Sequence, residues 1–150
     1  MWEAIADHRK GDLDAADGVY RRWARARMRS GRLIGLIVEV GNEPVATGCV
    51  WLMDVQPRPN LKGTTAAYLL SMFTEPGHRG AGHAGRIVRA AIRWGRSRGV
   101  PTMMLHASRF GEPIYRRFGF KATKEMRRSL HPHSRGRVRT PKKARRHPSR

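Results

Sequence analysis

The sequence predicts an α/β (α+β) domain with element order ααβββαβαβ. Three observations predict it. Two β-branched apolar runs are joined by Gly-Asn-Glu-Pro, a third apolar run stops just before a glycine cluster, and apolar residues then return at helical spacing.

Residues 3 to 29 carry Ile5, Leu13, Val19, Tyr20 and Trp23 among charges, which predicts one or two short helices broken near Gly11 and Gly18. Leu33 to Val40 (LIGLIVEV) and Val45 to Val55 (VATGCVWLMDV) predict a hairpin about the Gly-Asn-Glu-Pro turn. After the loop QPRPNLKGTT, Ala66 to Thr74 predicts a third strand. From about Gly82 to Arg98, Ala84, Ile87, Val88, Ala91 and Ile92 form an apolar stripe between Arg86, Arg89, Arg93 and Arg96, with Gly99 as the C-terminal cap. TMMLHAS (Thr102 to Ser108) predicts a strand. GEPIYRRFGF predicts a short helix with Pro113 in its first turn and Gly119 past its end, and KATKEMRRSL a final strand.

A chain of 150 residues, 39% hydrophobic, can bury one core without staples. The single cysteine, Cys49, excludes an internal disulfide and a cysteine-rich zinc site, and fits a reducing cytoplasm. No run approaches eighteen apolar residues and the N-terminus lacks a secretory pattern, so a cytoplasmic protein without membrane contact is expected. Net charge is +20 and unevenly spread. Residues 131–150 hold eight Lys or Arg and no acid; without them the first 130 residues still carry +12. Two units are therefore expected: a globular domain over 1–130 and a basic, disordered tail over 131–150.

Gly80, Gly82 and Gly85 spell G-x-G-x-x-G. A dinucleotide loop would open directly from its strand and be followed about twenty residues later by an acid for the ribose. Here Pro76, Gly77, His78 and Arg79 intervene, and no carboxylate lies between Glu75 and Glu112. A nucleoside-triphosphate loop needs Lys-Ser/Thr where this chain has Arg86-Ile87. What remains is a phosphate-binding turn: Arg79, bare amides, and a helix N-terminus whose dipole favours an anion. Gly80 and Gly82 would let the backbone approach the phosphate, while Gly85 would serve helix packing.

Arg79-Gly80-Ala81-Gly82-His83-Ala84 resembles the R/Q-x-x-G-x-G/A loop of the GNAT N-acetyltransferase superfamily, and Tyr115-Arg116-Arg117-Phe118-Gly119-Phe120 resembles its Y-x-x-x-G-F helix. The resemblance spans roughly residues 3 to 130. It implies a mixed, mostly antiparallel sheet flanked by helices, with two middle strands splayed to admit the pantetheine arm of acetyl-CoA. An N-terminal edge strand, usual in the family, is not read before the first helix; either it is missing or the given start is short. A missing strand leaves Leu33 to Val40 as an edge a second chain could pair with, so monomer and homodimer both stay open.

The same resemblance implies the roles. Arg79, Gly80, Ala81, Gly82, His83, Ala84 and Gly85 would hold the pyrophosphate. Backbone groups of Met72, Phe73 and Thr74 would bind the pantetheine and polarise the thioester carbonyl, and Ser108 would bond the pantetheine where the family often has Asn. Tyr115 would be the general acid for the departing thiolate. The position matching the family's base glutamate is Ala66, so the base is unassigned; Glu75, Asp54 and Tyr68 are the groups that could relay a proton. Cys49 reads as a buried thiol. His83 and His106 are isolated, so no metal site is expected.

The function expected is acetyl transfer from acetyl-CoA directly to a primary amine on a small molecule or protein. The alternative is a non-catalytic module that binds nucleic acid or another polyanion through the tail.

Overall fold

The computed structural model describes residues 10–57, 59 and 63–126. Ile5, part of the loop after Gln56, the end of the predicted last strand and the basic tail lie outside them.

The chain forms helix α1 (Lys10–Arg29), strands β1 (Leu33–Val40), β2 (Glu43–Asp54) and β3 (Thr65–Thr74), helix α2 (His83–Ser97), strand β4 (Met103–Leu105) and helix α3 (Glu112–Arg117). The sheet runs β1-β2-β3-β4, antiparallel except for the parallel β3–β4 pair. This is the expected mixed, mostly antiparallel sheet between helices.

Alternation along β2 decides which helix meets which face. Val50 and Leu52 point toward α2 and are buried with Ala67, Leu69, Val88, Ala91 and Tyr115. Cys49 and Trp51 point the other way: the Tyr20 hydroxyl lies 3.7 Å from Cys49 Sγ, and the Trp23 ring meets Trp51 edge-on at 5.3 Å. The core therefore sits between the sheet and α2.

Three predicted elements are corrected. The broken N-terminal helices are one helix of 20 residues that runs through Gly11 and Gly18. A helical glycine costs only about 1 kcal/mol, and the packing of Tyr20, Trp23 and Ala24 on the sheet outweighs it. The strand predicted over Thr102 to Ser108 keeps only Met103–Leu105, because β4 is held by one neighbour and leaves the sheet where that pairing stops. Lys121 to Met126, predicted to begin a last strand, is irregular and exposed. Its alternation is too charged to bury one face.

The bend in β3 depends on one small residue. Thr47 pairs with Phe73 and Cys49 with Leu70, so Ser71 and Met72 together oppose Gly48. This is a β-bulge, with Ser71 at φ 54°. A Cβ on Gly48 would lie 2.6 Å from Met72 Sδ and 2.7 Å from Ile87 Cγ2. Gly48→Ala is expected to cost roughly 1–3 kcal/mol by overpacking. Thermal unfolding should show a drop of several degrees; an unchanged Tm would mean that Ile87 yields freely.

Candidate active site

β3 ends at Thr74, and a single 3-10 turn over Pro76–His78 carries the chain to α2. Arg79 Nε donates to the Thr74 carbonyl at 3.1 Å, which fixes the side chain beside the strand end while it remains exposed. Gly80 and Gly82 adopt φ 82° and 81°, a left-handed conformation that glycine enters without strain. Gly82 caps α2 without a side-chain bond, and no acid stands in the first turn. The amides of His83, Ala84 and Gly85 open the helix and find no acceptor within it.

This turn fits a pyrophosphate. A Cβ built on Gly80 or Gly82 meets nothing within 4 Å, so open space lies beside both glycines. His83 is 8% exposed and its Nδ1 has no hydrogen-bond partner. Gly85 faces the Phe118 ring, 3.5 Å from where its Cβ would be, as helix packing requires.

Beside the turn, β3 and β4 part. β3 and β4 pair only through Ala67–Met103, Tyr68–Met104 and Leu69–Leu105. Beyond Leu69, β3 enters its bulge, and Phe73 and Thr74 continue along β2 alone. Among the described residues, the edge of Met72 to Thr74 that faces β4's side is thus left without a strand.

α3 follows β4, and Phe118 just past its end packs against Gly85 of α2. The Ser108 carbonyl accepts from the amides of Gly111 and Glu112, and its Oγ accepts from Gly111 N–H at 3.1 Å. Ser108 therefore anchors the turn into α3. Tyr115 is 8% exposed, with its ring against Gly111 and edge-on to Phe120 at 6.0 Å. Burial pushes its phenol above the ordinary value of 10.0, so it holds its proton at neutral pH and can donate it. Tyr115, Tyr68, His106 and Glu125 all line one cavity of about 860 Å³.

A match to the acetyltransferase (GNAT) family covers residues 2–120. The chain belongs to that family. Among solved structures, a GCN5-related N-acetyltransferase from Ralstonia eutropha JMP134 is 28% identical, with 85% of this chain and 83% of that one covered and a TM-score of 0.77. A predicted acetyltransferase from Clostridium acetobutylicum, solved with acetyl-CoA, is 26% identical, with coverage of 87% and 84% and a TM-score of 0.73. Glucosamine-6-phosphate N-acetyltransferase from Arabidopsis thaliana shares the fold at 18% identity, with coverage of 74% and 76% and a TM-score of 0.63. No curated protein matches the chain.

The remaining groups of this GNAT domain sort by their surroundings. Ala66, at the position expected to match the family's base, is fully buried and offers no proton acceptor. Asp54 is engaged by Arg32 at 2.7 Å, and Glu75 is exposed with its amide bonded to the Val45 carbonyl. Burial pushes both the Cys49 thiol and the Tyr20 phenol up, which favours the protonated thiol. Among the described residues no cluster could hold a metal, and no helix is long and apolar enough to cross a membrane. His106, which is isolated in the sequence, has company in space: Tyr68 Oη is hydrogen-bonded to its Nδ1, and Glu125 Oε1 lies 3.7 Å from its Nε2. Separation along the chain hides this group. Its one sequence signal is the place of His106, straight after the apolar run of β4.

Proposed function

We propose that this GNAT domain transfers an acetyl group from acetyl-CoA to a primary amine by direct attack, with Tyr115 as general acid. The observation that carries the reading is the juxtaposition of an open glycine turn at the N-terminus of α2 with a sheet that parts beside it.

Acetyl-CoA supplies the activated acetyl group. Arg79 and the amides from Gly80 to Gly85, with Ala81, His83 and Ala84 among them, hold the pyrophosphate by charge and hydrogen bonds. The pantetheine takes the place that β4 no longer fills, bonded to main-chain groups of Met72, Phe73 and Thr74. One of their amides polarises the thioester carbonyl, a donor worth about 2.7–4 kcal/mol in such transition states. Ser108 keeps its hydroxyl proton to donate, since its oxygen only accepts from Gly111. Tyr115 gives its proton to sulfur as the C–S bond breaks. Burial that pushes the Cys49 thiol up favours its protonated form, which supports direct attack over a covalent acetyl-enzyme.

Acetyl-CoA at a hundred times its Kd is expected to stabilise the fold by about 2.7 kcal/mol, visible as a rise of several degrees in Tm. A flat response removes the reading at its first step. A panel of aminosugars, polyamines and lysine peptides, followed by mass detection of a 2-carbon acyl adduct, then tests transfer and identifies the acceptor class.

A further inference from the structure

We propose, resting on the acetyl-transfer reading above, that Tyr68, His106 and Glu125 form a proton relay that accepts the proton of the incoming ammonium group. An amine held as ammonium has no lone pair with which to attack a thioester, so a proton acceptor beside the acyl group is a chemical requirement.

The three residues come from separate segments and meet beside the last rungs of the β3–β4 pairing. Tyr68 stands on β3 in the second of the three paired positions, four residues before Met72 of the bulge. His106 is the first residue after β4 ends at Leu105. Glu125 comes from the irregular segment after α3. Tyr68 Oη is hydrogen-bonded to His106 Nδ1, and His106 Nε2 faces Glu125 Oε1 at 3.7 Å. All three line the cavity that also contains Tyr115, so donor and acceptor of protons open onto one space.

The tautomer follows from these contacts. A carboxylate at the Nε2 end favours a proton there, which leaves Nδ1 bare to accept from the phenol. An N–H bond of the ammonium breaks as its proton passes to Tyr68 Oη, while the Tyr68 O–H bond breaks and its proton passes to His106 Nδ1. Glu125 balances the imidazolium that results. The freed amine attacks the acetyl carbon, Tyr115 protonates the departing sulfur, and the nitrogen's second proton returns to Tyr115. The side chains of His106 and Glu125 are 64% and 71% exposed, so the relay empties directly to water. The other charged groups on this cavity are Arg96, Lys121 and the Glu112–Arg116 pair, whose 2.6 Å contact satisfies both partners.

Two measurements on the full chain test the relay. In 15N NMR, with the His106 signals identified by their loss in His106→Gln, neutral His106 is expected in the Nε2–H form, and Tyr68→Phe should redistribute it toward the Nδ1–H form. A wild-type Nδ1 that carries the proton overturns the relay, whether or not any amine is acetylated. With the panel amine turned over fastest, His106→Gln should lower kcat/KM at neutral pH by roughly a hundredfold, and its kcat/KM should climb tenfold per pH unit where the wild type is level. Tyr68→Phe should share that slope, and added imidazole should restore His106→Gly. Variants that match the wild type in rate and slope overturn the relay, while absence of transfer to every amine overturns the acetyl-transfer reading and leaves the tautomer result to decide the rest.

Discussion

Tyr115→Phe is expected to lower kcat by a factor of roughly 10²–10⁴ and to leave acetyl-CoA binding unchanged. The substitution removes only the hydroxyl. The ring keeps its place in the core and its edge-on contact with Phe120, so the fold should lose little. Steady-state kinetics beside an acetyl-CoA thermal shift separates the two quantities; equal loss of both would make Tyr115 a packing residue. Burial also sets the pH behaviour. Because the folded phenol sits above its ordinary value of 10.0, its protonated form is the one the fold favours. The associated stability is complete below about pH 10 and is lost as pH rises through the folded value. No alkaline fall in kcat from this group is expected below pH 10.

Gly82→Val is expected to abolish the acetyl-CoA thermal shift and to lower Tm by several degrees. Two effects combine at this position. At φ 81° a β-branched residue is strained by about 1–3 kcal/mol, and its side chain fills the open space beside the glycine. Gly99→Val separates them. Gly99 has φ 67° with the same open surroundings, but it lies at the opposite end of α2. It should lower Tm comparably while the acetyl-CoA shift survives. If both variants keep the shift, the glycine turn does not hold the coenzyme.

The sequence made α2 and the hairpin legible for a simple reason. Ala84, Ile87, Val88, Ala91 and Ile92 recur at helical spacing over more than two turns, and LIGLIVEV offers little but strand. The glycine turn was legible because Arg79 and the missing downstream acid constrain its ligand without any tertiary knowledge. α1 was not, since glycines are local signals and the packing of Tyr20 and Trp23 on β2 is not local. The shortness of β4 was hidden for a related reason: Thr102 to Ser108 has strand composition, but a strand lasts only as long as its neighbour stays alongside. Tyr68 was legible in the sequence as a group that could relay a proton, but its partners His106 and Glu125 were out of reach. Residues 38 apart along the chain meet at the Tyr68–His106 contact, and no pattern of spacing encodes that.

The early end of the β3–β4 pairing has a consequence for how such a domain can diverge. In the proposed reaction the coenzyme is read mainly by main-chain groups, which every residue type except proline supplies alike. Side chains of β3 on the α1 side are then under little demand from the donor. A position such as Ser71 can change to suit a new acceptor while donor recognition and the proton relay are inherited intact, so one ancestral scaffold can be retuned amine by amine.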